Sequence, residues 1–254
     1  MATPFLQLQT GIGNYFRNSA APAQAAALTL PLLLLYGVGI TLIPTAANGV
    51  DFLSTALYHA FYLLPAPGLA YLGFYGILLI GNLALFYYLE RANKLNVQYF
   101  LPLLLECLFY AALTGSISAW ITTDLVHAIS GPAFHLNAAT SVRHFGPIEG
   151  IIVSAGAGLH EELVFRLLGI GAVARLWLGR EWRKPTAKLL GLILVSSLLF
   201  SLAHFLGEPF RLHALVYRSV SGVLFGALFL FRGFAVSAWT HALYDIWVIL
   251  VIGT

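Results

Sequence analysis

Apolar residues collect in seven long blocks along the chain, at about 24–44, 64–89, 98–122, 148–174, 187–206, 213–231 and 235–252, with polar and charged residues gathered between them. Each block matches the roughly 20 residues that a helix needs to cross a hydrocarbon core of about 30 Å. The segment 50–63, Val-Asp-Phe-Leu-Ser-Thr-Ala-Leu-Tyr-His-Ala-Phe-Tyr-Leu, is amphipathic and too short to span, which predicts a helix lying along the interface. Residues 126–146 hold Gly131-Pro132 and several polar side chains, the pattern of a loop or a partly re-entrant element. No internal repeat or low-complexity stretch interrupts this order. The expectation is an all-α fold: a polytopic transmembrane helical bundle of about seven spans plus an interfacial helix, forming one integral membrane domain over 1–254.

Composition strengthens that reading. Apolar residues make up 59% of the chain and charged residues 9%, with a mean hydropathy of +0.85, whereas soluble domains carry about a quarter charged residues. Residues 1–23 contain Arg17 as their only charge and the first apolar run is too long for a signal h-region, so no cleavable signal is expected. The sequence pI of about 9.0 reflects basic residues between spans, as topology signals require, and does not indicate nucleic acid. Arg17, Arg91, Lys94, Arg175, Arg180, Arg183, Lys184, Lys188 and Arg232 fall on one side, against Arg143 and Arg211 on the other. The positive-inside rule then sets the N-terminus in the cytoplasm and the C-terminus outside. The lone cysteine, Cys107, excludes an internal disulfide and a CxxC metal knuckle. Its apolar run predicts a core thiol rather than a nucleophile.

Against this apolar background the charged residues inside spans stand out, since each costs roughly 2.5 to 3.5 kcal/mol on insertion scales. The fourth block reads His160-Glu161-Glu162-Leu-Val-Phe165-Arg166. Glu162 and Arg166, spaced i, i+4, meet on one face and form a structural ion pair. Glu161 lies about 100° round the helix from Glu162, and desolvation tunes such a carboxylate for general-base work. The fifth block ends Phe200-Ser-Leu-Ala-His204, with Phe200 and His204 on one face, and the seventh carries His241-Ala-Leu-Tyr-Asp245, again i, i+4. Taken singly, each histidine fits a structural or interfacial role, and His241 with Asp245 fits an interhelical polar contact. A carboxylate and two histidines on three separate spans point together to an intramembrane active site.

The ordered trio Glu161-Glu162-x-x-x-Arg166, Phe200-x-x-x-His204 and His241-x-x-x-Asp245 resembles the CAAX-protease and bacteriocin-processing (CPBP) family, the glutamic intramembrane proteases that include type II CAAX prenyl endopeptidases. The resemblance covers about 100 residues, 160–250, and residues 1–146 add a compatible helical frame without a motif. It implies an endopeptidase that needs no cofactor and no metal. Glu161 is the implied general base, His204 helps to position and deprotonate water, and His241 with residue 245 supports the oxyanion. Glu162, Arg166 and Phe200 are implied as structural support. CAAX endopeptidases commonly have Asn where this chain has Asp245, and an ionised Asp cannot donate to an oxyanion. Either Asp245 is protonated, or it orients His241 and leaves donation to the imidazole; the second is the preferred expectation.

The implied partners are a membrane-anchored or exported protein or peptide substrate and the lipid bilayer of a bacterial or archaeal plasma membrane. Glu161 near mid-membrane and His204 near the outer end of its helix predict a cavity opening to the outer side. Two other chemistries use the same residues. Glu162, His204 and His241 can be read as zinc ligands with Glu161 as base, although no HExxH is present. Buried Glu, His and Asp also build proton relays in proton-coupled transporters, although no inverted repeat is visible. A scaffold that keeps the motif without turnover is a further possibility. The remaining polar residues read blandly: His135 and His144 as solvated loop residues, and Arg218 as a snorkelling structural cation or a group for a substrate carboxylate. Glu106 requires a polar partner, and Trp and Tyr form interfacial belts.

Overall fold

The computed structural model describes residues 13–43, 51, 59–92, 97–130, 145–206 and 208–252. A short helical stretch at 13–19 precedes seven long helices. These are α1 (Pro22–Leu42), α2 (Pro67–Arg91), α3 (Phe100–Ser130), α4 (147–178), α5 (Ala187–His204), α6 (Leu212–Arg232) and α7 (Phe234–Trp247, continued by Val248–Ile252). Among the described residues, six helices are by length and composition apolar enough to cross a membrane. The seventh, α4, is the one that carries Glu161, Glu162 and Arg166.

Two boundaries differ from expectation for local reasons. Pro67 opens α2 three residues after the expected start, because proline is favoured in the first turn and lacks the N–H that would be orphaned there. Helix α3 runs to Ser130 rather than 122, since neither Gly nor Pro occurs between 123 and 130 and Gly131-Pro132 follows. Of the interfacial segment 50–63, only Asp51 and 59–63 are described, with 59–61 helical. Lys94, Gly131-Pro132, His135, Arg143 and His144 lie outside the described residues.

Helix α7 sits at the centre, packed against α1, α3, α4 and α6. Its small residues make this possible: Ala238 and Ala242 pack with Leu32 and Tyr36 of α1 and with Ile152, Ala155 and Leu159 of α4. On its other side Ala235 and Val236 meet Leu28, Leu103 and Cys107. In a bilayer such close approach replaces the hydrophobic drive that water provides. Gly158 takes it furthest, because a Cβ there would lie 2.4 Å from the Ala238 carbonyl oxygen and 2.7 Å from the Ala242 Cβ. By contrast α2 turns Leu72, Ile77, Ile80 and Leu83 outward, a lipid-facing surface.

Long-range contacts fix the helix directions. Arg232, at the end of α6, holds Glu106 near the start of α3 and the carbonyl of Phe16 before α1. Gly233, with φ of 87°, turns α6 directly into α7. At the opposite end, Ser201 of α5 donates to the Leu215 carbonyl of α6, and Gly150 of α4 abuts Ile249 of α7. The helices therefore alternate in direction.

Candidate active site

The site is built on an unusual stretch of α4. Over Ala157–Ala172 the backbone bonds span five residues rather than four, ending with the Val173 N–H on the Leu168 carbonyl. Such widened turns cluster at functional sites. More residues per turn means a smaller angular step between neighbours, so Glu161 and Glu162 point closer together than the 100° of an α-helix. Ser196 of α5 donates to the Phe165 carbonyl at 2.5 Å and pins the widened stretch from outside.

Glu162 is wholly enclosed by partners. Its Oε1 lies 3.2 Å from the Arg166 guanidinium and accepts from His241 Nδ1 at 2.9 Å, while Oε2 accepts from Ser237 Oγ at 2.5 Å. Arg166 in turn donates to the Gly222 carbonyl at 3.3 Å and lies over the rings of Phe200 and Phe225, 4.3 and 5.5 Å from their centroids. Both charges are essentially inaccessible, a setting in which removal of one partner strands the other.

Glu161 has different neighbours. Its Oε2 lies 3.9 Å from His204 Nε2 and 3.8 Å from His241 Nε2, just beyond direct hydrogen-bond length and within reach through one water. Both rings are held from behind. His204 Nδ1 donates to the Phe200 carbonyl at 2.9 Å, so in the neutral ring Nε2 is an acceptor. His241 Nδ1 is held by Glu162, and its ring stacks on Phe225 at 4.6 Å. Asp245 Oδ2 faces His241 Nε2 at 3.6 Å, so the carboxylate bonded to Nδ1 is Glu162 and not Asp245. Phe200 packs edge-on against both histidines, with centroids 5.1 and 5.8 Å away. Glu161 and His241 are buried, whereas His204 and Asp245 are about a quarter exposed, which sets the mouth of the site at the α5 C-terminus and the later turns of α7.

These spacings gather all seven motif residues, on α4, α5 and α7, into one cluster. Residues 144–247 match the family model described as type II CAAX prenyl endopeptidase Rce1-like. This part of the chain is Rce1-like. No curated protein and no solved structure matches the chain. The Rce1-like segment lies among membrane-length apolar helices, so the chain is an integral membrane protein whose residues 144–247 are similar to an endopeptidase family.

Three further contributors to this cluster and its surroundings were not singled out in the sequence. Ser237 lies one turn before His241 and shares its face, the i, i+4 signal that could have found it. Phe225 supplies the platform under the His241 ring. On the far side of α4, His160 Nδ1 meets the Gly156 carbonyl at 3.1 Å and its Nε2 faces Asp51 at 3.2 Å, with the Tyr36 hydroxyl donating to the same carboxylate at 2.7 Å. The Asp51 contact ties the α1–α2 connection to the turn that carries Glu161.

Proposed function

We propose that the protein is a glutamic-type intramembrane endopeptidase that cleaves membrane-anchored or exported protein substrates. The observation that carries this reading is the position of Glu161 Oε2 within 4 Å of two imidazole nitrogens, each fixed by a bond at its other nitrogen. A water among Glu161, His204 and the substrate carbonyl donates to two acceptors, which aims its oxygen lone pair at the carbonyl carbon. Attack forms the carbon–oxygen bond, and Glu161 takes the water proton. The carbonyl oxygen becomes an oxyanion facing His241. Because Glu162 accepts from Nδ1, the Nε2–H of a protonated His241 is free to donate to that oxyanion. As the carbon–nitrogen bond breaks, Glu161 returns its proton to the leaving amine, giving a carboxylic acid and an amine, which exchange the remaining proton to become carboxylate and ammonium in water. Glu162, Arg166, Ser237 and Phe200 act as positioning residues. Asp245 lies beside Nε2 at 3.6 Å, on the same side of the ring as Glu161.

The zinc reading has less support. Glu162 is already bound to Arg166, Ser237 and His241 Nδ1, and among the described residues no three His, Cys, Asp or Glu side chains have metal-binding arrangement. The excess of basic residues at the other end supports a cytoplasmic N-terminus and a mouth that opens outward. Cysteines placed at the mouth and labelled only from the cytoplasm would overturn that orientation.

The deciding experiment is cleavage of a panel of membrane-anchored peptide reporters by detergent-purified protein, wild type against Glu161→Gln, with and without EDTA. Cleavage that resists EDTA and disappears in the variant is expected. Cleavage abolished by EDTA and restored by zinc would overturn the mechanism.

A further inference from the structure

Arg218 points to what the mouth recognises. It lies within the span of α6, where a guanidinium needs a counter-ion. The structure supplies one from the α5–α6 connection: Glu208 Oε2 accepts from Arg218 Nη2 at 2.9 Å and lies 3.5 Å from Arg211 Nη2. The match is incomplete. A guanidinium binds a carboxylate best through two parallel bonds, yet Nη1 of Arg218 is buried with no hydrogen-bond partner among the described residues. Glu208 is 40% exposed, so it is held at the surface of the cluster rather than locked within it. Two arginines facing one glutamate also leave one positive charge in excess.

The cluster adjoins the site. Arg218 lies 5.7 Å from the ring centroid of Phe205, the residue after His204, and Phe205 packs on Phe210 at 5.2 Å. Arg218 is also within electrostatic reach of Asp245, and Glu208 of His204. A chain segment lying across Glu161 and His204 therefore runs past a guanidinium with an unused donor.

We propose that Arg218 is a specificity-determining anion receptor, which takes a carboxylate of the bound substrate chain in a two-bond grip and displaces Glu208, its intramolecular stand-in in the resting protein. The proposal rests on the peptidase reading for the identity of the ligand. It adds a substrate class: chains that carry a carboxylate on the outer side of the scissile bond, at a C-terminus or on an acidic side chain.

The test measures binding, so it does not depend on turnover. Glu161→Gln protein in neutral-lipid nanodiscs is titrated with a short, fluorescein-labelled apolar peptide in three forms: with a free C-terminal carboxylate, with a C-terminal amide, and with the amide plus an acidic residue near the end. Binding is read by anisotropy. Loss of a charge-assisted pair of roughly 1.5 to 3 kcal/mol corresponds to about tenfold or more in affinity, so the free carboxylate should bind at least about tenfold tighter than the amide. The third peptide shows whether an acidic side chain substitutes for the terminus. Adding Arg218→Gln should erase the difference, Arg218→Lys should retain part of it, and Glu208→Gln should widen it. Equal binding of all three peptides would overturn the proposal, as would a preference that persists unchanged in both Arg218 variants. A preference cancelled by anionic lipid would assign the guanidinium to a lipid phosphate and also overturn it. Failure of the glutamic mechanism would appear separately, as reporter cleavage that persists in Glu161→Gln alone.

Discussion

Two Glu–Arg pairs lie deep in this bundle, and they differ in what surrounds them. Glu106 and Arg232 join α3 to α6 through two bonds, at 2.5 and 2.8 Å, and the rest of the guanidinium is used by Ser19 and the Phe16 carbonyl. Tyr15 adds a hydroxyl to Glu106, and the ring of Phe16 covers the cation. Every group there answers another, and no histidine takes part in these contacts. Glu162 and Arg166 are equally enclosed, but Glu162 also holds His241 Nδ1 at 2.9 Å, and a second carboxylate, Glu161, stands 3.8 and 3.9 Å from the Nε2 atoms of His241 and His204, too long for direct bonds. A membrane protein can thus use one pair type both to clamp helices and to hold an imidazole beside a second carboxylate. The difference lies in the extra acid, Glu161, and in the rings that face it.

The contrast breaks most sharply at the two glutamates themselves. Glu161→Gln is expected to lower reporter cleavage by about 10²- to 10⁴-fold, the range of a lost general base, while thermal unfolding moves little because Gln fills the same space. Glu106→Gln should do the opposite. It leaves Arg232 facing a neutral amide inside the bundle, a loss of up to about 3 to 5 kcal/mol for a buried pair, with near-normal turnover per folded molecule. The double variant Glu106→Gln with Arg232→Gln should recover part of that stability. If Glu106→Gln instead abolished turnover at unchanged stability, the division between clamp and site would be wrong.

Gly158 sharpens the comparison from the packing side. Glu161 meets His241 only because α4 and α7 approach until a Cβ at 158 would lie 2.4 Å from a backbone oxygen. Gly158→Ala must push the helices apart, at a cost of about 1 to 3 kcal/mol. A displacement near 1 Å at the site is worth about 10²-fold in rate. Gly222, whose Cβ would lie 2.8 Å from the Ser197 Cβ, spaces α6 from α5 rather than α4 from α7. Gly222→Ala should therefore lower stability comparably with a smaller loss of turnover, measured as melting temperature and initial rate on the same preparations.

What was legible in the sequence follows the same division. Glu162 with Arg166, Phe200 with His204, and His241 with Asp245 were readable because each pair sits one helical turn apart, and a helix in lipid keeps that period. The seven long helices were readable from the blocks of apolar residues, and six of them are long and apolar enough to cross a membrane. Partners distant in sequence were not: Arg232 lies 126 positions from Glu106, and Asp51 reaches His160 from a connection between other spans. The widened turn of α4 also escaped, since residues spaced for an α-helix can accept a five-residue bond pattern once Ser196 takes the Phe165 carbonyl. That turn changed the role expected at His241. A 100° step leaves Asp245 as the obvious carboxylate for the ring, whereas the smaller step brings Glu162 onto Nδ1 while Glu161 still faces Nε2.

The exposed Glu208–Arg218 contact supplies the weakest limit of the series. Burial alone would raise the Glu208 carboxyl, but its bond to Arg218 and the charges of Arg218, His204 and Arg211 outweigh that and hold it below its ordinary value of 4.5. A carboxyl depressed in the folded state contributes stability above its unfolded value, and that contribution is lost as pH falls through the lower folded value. The wild type should therefore lose a little stability below about pH 4.5 that Glu208→Gln never had, and the melting curves of the two proteins should converge in acid. Solvent screening keeps the difference at neutral pH within about 1 kcal/mol, well under the loss expected from Glu106→Gln. A neutral-pH loss as large as that of Glu106→Gln would mean that Glu208 is a third clamp rather than a displaceable stand-in, and the mouth would then be closed by design.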